Sequence, residues 1–225
     1  MKLHFISGLP RSGSTLLTSL LYQNPDIHTE GVSGLCDLMW SAQRSLDNQA
    51  TYANHRREHA DRLISHLPAL HYSHITRPVV IDKCRAWTLP LNVQMIERYI
   101  TPQPKIICCV RDVPDIIASF ERLFALNHTD TDDRLPFMSE LDMSLVGLDA
   151  ALQSGDQSRY LIVSYDRLID HTAAVLDEIY DFLELPRYVH DLSHIVNMTS
   201  ENDAVYGLSG MHDIRPQIAR RDASL

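Results

Sequence analysis

The chain has 225 residues, of which 44% are hydrophobic and 22% charged, with a formal net charge of −9 at pH 7. That length suits one substantial α/β domain, not two independent ones, and the composition is that of an ordinary globule, which excludes disorder and fibrous repeats. The negative balance disfavours a nucleic-acid binder or a long polyanionic acceptor, both of which need a basic face.

Residues 3–7 are a short apolar strand pattern that runs through a glycine-containing loop into a helical pattern over 14–24. Its apolar stretch is too short for a signal peptide before Gly8 and Pro10 interrupt it. No run in the chain approaches a membrane span, so no membrane insertion is expected and the expected location is the cytoplasm. Gly8 and Gly13 stand five apart, as in the G-x-x-x-x-G-K-[ST] nucleotide loop. Such a loop aims backbone N–H groups at an anion held on the positive N-terminus of the helix. Ser14 stands where that motif places its lysine, and a cation occurs three residues earlier as Arg11. The loop is therefore built for a phosphate, but not for the γ-phosphate of a triphosphate.

Further along, 24–31 (NPDIHTEG) follows the first helix without a strand pattern, and helical patterns cover 33–47 and 52–67. In the second of these, Arg56, Arg57 and Arg62 alternate with Glu58 and Asp61, as on a solvated helix face. His55 and His59 at i and i+4, with His71 and His74 nearby, invite zinc, but no acidic or cysteine cluster completes a ligand set and no metal is expected. A strand over 78–82 (PVVID) ends just before Lys83, and a helix follows at 89–100. Pro102 and Pro104 lead to a strand at 105–110, whose continuous run Ile106–Val110 signals burial on both faces. After a helix at 113–126, the polar stretch 127–137 is expected to be a lid-like loop. A helix at 138–154, a strand at 160–164 and a helix at 170–184 complete the periodic elements.

This alternation predicts an α/β fold, a P-loop-like three-layer sandwich with a central, mostly parallel sheet flanked by helices, forming a single domain over 1–225. The tail 197–225 lacks periodicity and is expected either to cover the ligand or to stay mobile. Four cysteines, two of them adjacent in a strand, form no disulfide framework and are expected to be reduced. Ligands of open parallel sheets sit at the carboxyl ends of the strands, so Arg111, at the end of the 105–110 strand, falls where a second phosphate is met. Its planar fork suits a terminal phosphate better than an ammonium does.

The segment PRSGSTLL at 10–17 resembles the 5′-phosphosulfate loop of sulfotransferases that use 3′-phosphoadenosine 5′-phosphosulfate, in the variant found in tyrosylprotein and small bacterial sulfotransferases. The block KIICCVRDVPDIIASFERL at 105–123 is similar to the same family's second donor segment, with Arg111 and Ser119, eight apart, matching its 3′-phosphate-binding arginine and serine. The resemblance covers most of 1–185. It implies in-line transfer of a sulfuryl group to a hydroxyl-bearing acceptor, with 3′,5′-bisphosphoadenosine as product and no metal required. Pro10, Arg11, Ser12, Gly13, Ser14 and Thr15 would hold the 5′ side of the donor. Lys83 sits in a strand end resembling the one whose lysine stabilises the departing charge, with Arg85 a second contact for donor or acceptor.

The segment 24–31 resembles the one that carries the family's catalytic glutamate, which, allowing a one-residue shift, makes Glu30 the expected base. His28 is the alternative, with the more convenient intrinsic pKa. VSYDRL at 163–168 resembles the segment whose tyrosine lies near the nucleotide, here Tyr165. VYGLSGMHDIRP at 205–216 resembles the C-terminal part of small bacterial members, in which a loop returns to the donor; Arg215 would contact phosphate and His212 would approach the acceptor. The R-K-G-x-x-G motif of the larger family is absent. A nucleotide kinase of the same architecture competes with this reading but predicts a lysine in the cradle, and a non-catalytic nucleotide-binding domain is the second alternative. Tyrosyl peptide, sugar, lipid head group and small alcohol are all compatible acceptors, and the motifs carry no oligomeric signal.

Overall fold

The computed structural model describes residues 1–48, 50, 57–199 and 201–218. His55, Arg56 and the start of the 52–67 helical pattern lie outside the described residues, as do 219–225 of the tail. The first half comprises β1 (Lys2–Gly8), α1 (Ser14–Leu21), β2 (Ile27–Val32), α2 (Leu35–Asn48), α3 (Arg57–His71), β3 (Val79–Lys83) and α4 (Pro90–Tyr99). The second half comprises β4 (Ile106–Val110), α5 (Val113–Asn127), α6 (Leu135–Leu152), β5 (Tyr160–Ser164), α7 (Tyr165–Asp170) and α8 (Thr172–Leu183). The strands form one parallel sheet in the order β2-β3-β1-β4-β5, with helices on both faces, as expected of the α/β sandwich.

Continuous apolar runs form the central strands because both faces are covered. In β1, Ile6 packs with Leu17 and Leu20 of α1 and Ile179 of α8, whereas its neighbour Phe5 packs with Val80, Trp87 and Ile96 on the other face. A third apolar cluster joins Leu9 to Phe120 and Phe124 of α5, Phe137 of α6, and Leu208 and Met211 of the tail. Leu208 and Met211 are 1% and 3% exposed. Burying each contributes roughly 1.5–3 kcal/mol, enough to hold the tail beside the loop that follows β1. Register pairs Ile6 with Lys83 and Gly8 with Cys109, so the carboxyl ends of β1, β3 and β4 finish close together. Gly8, at φ 120, has no alternative, since a Cβ there would lie 2.1 Å from the Cys109 carbonyl oxygen.

The structure corrects three local expectations. Ile27–Val32 is a strand, because β3 supplies backbone partners from Ile27↔Val79 onward, although His28, Thr29 and Glu30 give it little strand character in sequence. The expected lid over 127–137 is shorter, with α6 already begun at Leu135 after a single 3-10 turn, Asp132–Arg134. Tyr165–Asp170 is an additional short helix, capped by the Ser164 hydroxyl accepting from the Arg167 N–H. All four cysteines are free thiols.

Asp82 anchors the end of β3 from the face opposite α1. Its carboxylate accepts from the Ser33 hydroxyl at 2.5 Å, the Tyr72 hydroxyl at 2.6 Å and the Trp87 indole N–H at 2.6 Å. Burial pushes its pKa up, and these three donors oppose the rise. The clamp fixes the backbone from which Lys83 projects to the other face.

His4 in β1 is buried with no hydrogen-bond partner for Nε2, and burial first, then Lys2 and Lys105, lower its pKa to about 4. A histidine held neutral in the fold charges more readily once unfolded. Stability is therefore lost as pH falls from the unfolded value of about 6.5 toward 4, by roughly 3 kcal/mol in total. Urea unfolding between pH 7 and 4 should show that fall, reduced in His4→Leu; an identical pH dependence in the variant would refute it.

Candidate active site

The loop from Leu9 to Gly13 turns tightly because Arg11 at φ 57 and Gly13 at φ 86 both adopt left-handed conformations. Successive turns of this kind curl backbone N–H groups toward one point, a nest for an anion. The Ser12 hydroxyl braces the curl by donating to the Leu9 carbonyl at 2.5 Å. Gly13, at the N-cap of α1, contributes no side-chain cap, which leaves the first-turn N–H groups and the positive helix end facing the cleft. A Cβ on Gly13 would lie 2.9 Å from the Tyr165 ring, so glycine also lets the loop close onto that ring.

Arg111 follows β4 beside the loop. Its guanidinium lies 4.2 Å from the centroid of the Tyr165 ring, and its Nη1 donates to the Arg11 carbonyl at 3.2 Å. Its buried Nε has no hydrogen-bond partner, the nearest carboxylate being Asp115 at 3.8 Å. Arg11 in turn donates from Nε to the Ser119 hydroxyl of α5 at 3.1 Å and from Nη1 to the Met211 carbonyl of the tail. Arg11, Thr15, Arg111, Ser119, Tyr165 and Arg215 line one cleft, together with Gly13 and Ser14, and tail residues Met211 to Arg215, Gln217 and Ile218 form one wall.

Lys83 at the end of β3 is 2% exposed, and its Nζ lies 3.1 Å from Glu201 Oε2 and 3.5 Å from Thr15 Oγ1. Burial lowers the Lys83 pKa, while the Glu201 carboxylate pulls it back up. Burial likewise works to raise the Glu201 pKa, but Lys83, His212 and the Val32 N–H outweigh it, and the carboxyl is held below its usual range. The second oxygen, Oε1, accepts from the Val32 N–H at 3.1 Å and lies 3.4 Å from His212 Nε2. His212 Nδ1 is 2.6 Å from Asp203 Oδ1. Gly31 in β2 makes room for this carboxylate, since a Cβ there would overlap the Glu201 side chain.

The residues read from sequence thus fall into two groups. Arg11, Gly13, Ser14, Thr15, Arg111, Ser119, Tyr165 and Arg215 converge on one cleft, Pro10 and Ser12 shape its loop, and Lys83 touches Thr15 from below. Glu30 and His28 do not join them. His28 Nε2 and Glu30 Oε2 face each other at 3.7 Å, and His28 stacks edge-on to Tyr72, on the sheet face away from Lys83. Arg85 lines the cleft and is ion-paired with Glu140 of α6. Glu201 and Asp203 escaped sequence reading, because they sit in an aperiodic tail and become significant only where the chain folds back onto Lys83. Among the described residues no group of three or more His, Cys, Asp or Glu side chains is arranged to hold a metal. No helix among them is long and apolar enough to cross a membrane.

A profile described as the sulfotransferase family matches residues 4–191, from β1 to just beyond α8. The chain belongs to the sulfotransferase family. Solved structures of similar fold include the sulfotransferase domain of the Synechococcus PCC 7002 olefin synthase, at 23% identity and TM-score 0.59, covering 84% of this chain and 74% of that one. The sulfotransferase domain of the curacin biosynthetic pathway aligns at 18% identity and TM-score 0.61, covering 92% and 82% of the two chains. A sulfotransferase from Alicyclobacillus acidocaldarius aligns at 14% identity and TM-score 0.61, covering 88% and 87%. Among curated proteins none matches the sequence. In this sulfotransferase-family chain the tail wall, residues 211–218, lies beyond the profile match, and so does the Glu201–His212–Asp203 cluster.

Proposed function

We propose that the protein transfers a sulfuryl group from 3′-phosphoadenosine 5′-phosphosulfate to the hydroxyl of an acceptor. The observation that carries this reading is Arg111, a largely enclosed guanidinium that lines the same cleft as the uncapped helix end and whose Nε makes no hydrogen bond, with the exposed Asp115 carboxylate 3.8 Å away. A guanidinium N–H left without a hydrogen bond in an enclosed cleft is costly, and an anion is the group that satisfies it. One cleft therefore offers two anion sites: the nest of Arg11–Thr15 for the 5′ side of the donor, and Arg111 with Ser119 for the 3′-phosphate. Tyr165 and Arg215 border the space between loop and tail. The cradle lacks the lysine that would reach a γ-phosphate, which favours a phosphosulfate over a triphosphate.

When bound, the donor supplies an activated sulfuryl group; the chain positions it and handles charge and protons. Lys83 stands at the end of β3, against Thr15, where a cation stabilises negative charge on the bridging oxygen of the leaving phosphate. The acceptor hydroxyl must give up its proton to a base within hydrogen-bond reach. Glu30 and His28, the pair suggested by sequence, would have to act from outside the cleft lining. In this reading residues 1–225 work as one domain, with the segment after 197 as the donor cover.

A thermal-shift comparison tests the donor. Ligand at a hundred times its dissociation constant adds about 2.7 kcal/mol, worth roughly 5–10 °C for a chain of this size. The shift is expected with 3′,5′-bisphosphoadenosine and not with 5′-AMP or with ATP and magnesium. A shift confined to magnesium-ATP would replace the sulfotransferase reading with a kinase.

A further inference from the structure

Building on the donor reading above, we propose that His212, oriented by Asp203, is the general base that removes the proton from the acceptor hydroxyl. Asp203 grips this histidine twice. Its Oδ1 lies 2.6 Å from the ring Nδ1, and its Oδ2 accepts from the His212 backbone N–H at 3.3 Å. With Nδ1–H committed to Asp203, the ring exchanges its proton at Nε2, which donates to Glu201 while that carboxylate is in place and offers a lone pair once it has left, the arrangement in which a carboxylate sets the tautomer of a catalytic imidazole. That nitrogen is not directed to solvent. His212 is 6% exposed, lines the cleft, and points Nε2 at Glu201.

The position of Glu201 is the decisive detail. One of its oxygens is 3.4 Å from His212 Nε2, and the other is 3.1 Å from Lys83 Nζ. A single carboxylate thus bridges the base and the cation. The space it fills, between a proton acceptor and a positive charge, is what an attacking hydroxyl and a departing phosphate oxygen require. Glu201 acts as an internal stand-in for these oxygens and must swing aside when the substrates enter. Glu30 has no comparable relation to Lys83 and instead faces His28, at 3.7 Å, on the opposite sheet face.

In the reaction, the acceptor proton passes to His212 Nε2 as a lone pair of the acceptor oxygen forms the new bond to sulfur. The bond from sulfur to the 5′-phosphate oxygen breaks, and its electron pair stays on that oxygen beside Lys83. The products are the sulfate ester, 3′,5′-bisphosphoadenosine and a protonated His212.

The test compares wild type, His212→Gln, His212→Gly, Asp203→Asn and Glu30→Gln. Two readouts are taken: the thermal shift with 3′,5′-bisphosphoadenosine, and the release of that bisphosphate from the phosphosulfate donor with water, simple alcohols and phenols as acceptors. His212→Gln is expected to keep the shift and lose about 10²–10⁴-fold in rate. Added imidazole should restore part of the rate of His212→Gly, which a purely structural histidine would not allow. Asp203→Asn should lower the rate with the shift retained and abolish a far-downfield imidazole proton in the NMR spectrum of the wild type. A His212→Gln rate within threefold of wild type overturns the proposal. So does a larger loss in Glu30→Gln than in His212→Gln, or a wild type that binds the bisphosphate yet turns over with none of these acceptors. Absence of the shift in wild type overturns the donor reading instead.

Discussion

Lys83→Met is expected to lower turnover by about 10²–10³-fold while the affinity for 3′,5′-bisphosphoadenosine changes only a few-fold. The magnitude is that of removing one preorganised donor aimed at charge that develops in the transition state, in a site shielded from water. The selectivity for turnover follows from placement: in the proposed function donor affinity would come mainly from the nest and from Arg111, whereas Lys83 approaches from the end of β3 against Thr15. A structural cost must be separated from the chemical one. Lys83 is buried and paired with Glu201, whose side chain is 7% exposed, so the single variant leaves a buried carboxylate without its ammonium partner. Breaking such a pair costs about 3–5 kcal/mol of stability. The double variant Lys83→Met/Glu201→Gln removes that stranded charge and should recover most of the melting temperature without recovering turnover. Turnover within threefold of wild type in the double variant would take Lys83 out of the chemistry.

Arg111→Ala should weaken bisphosphate binding by about 10- to 150-fold, measured by isothermal titration, the loss of one or two charge-assisted hydrogen bonds worth roughly 1.5–3 kcal/mol. The fold should survive, because Arg111 makes few contacts that only it can supply: one bond to the Arg11 carbonyl, the stack on Tyr165 and a 3.8 Å approach to the exposed Asp115. Arg111→Lys should restore little of the affinity, since an ammonium cannot reproduce the planar fork or the stack. The comparison ligand is 5′-AMP, which lacks the 3′-phosphate and should bind wild type and Arg111→Ala alike. Equal bisphosphate affinity in wild type and Arg111→Ala would remove Arg111 from the donor site.

Most of the proposed donor cleft was legible in the chain because its elements are local. A strand, a tight loop and a helix start lie within residues 2–21, and a second strand, arginine and helix lie within 106–127. Each block carries its own period, its own glycines or its own apolar run, so the chemistry and the secondary structure that presents it are read together. What was missed has a common cause. β2 is a strand through its pairing with β3, and its own residues, IHTEGV, carry little strand signal. The polar stretch before α6 reads as a loop through composition, although Leu135 already begins a helix that packs into the Phe120–Phe124 cluster.

The half of the cleft proposed to be catalytic depends on long-range closure. Glu201 meets Lys83 across 118 positions of chain, and Arg11 meets Met211 across 200. No local pattern encodes such meetings, because they follow from Leu208 and Met211 finding an apolar seat beside Leu9. The sequence by itself determined the parallel α/β framework, the tight loop before α1 and the arginine beside it, since hydrophobic period and turn chemistry act over a few residues. Only the tertiary structure decided that the tail brings Glu201, Asp203 and His212 onto Lys83 and leaves Glu30 on the other face. The side to which a β2 carboxylate points is set by strand register, and the course of an aperiodic tail by distant burial.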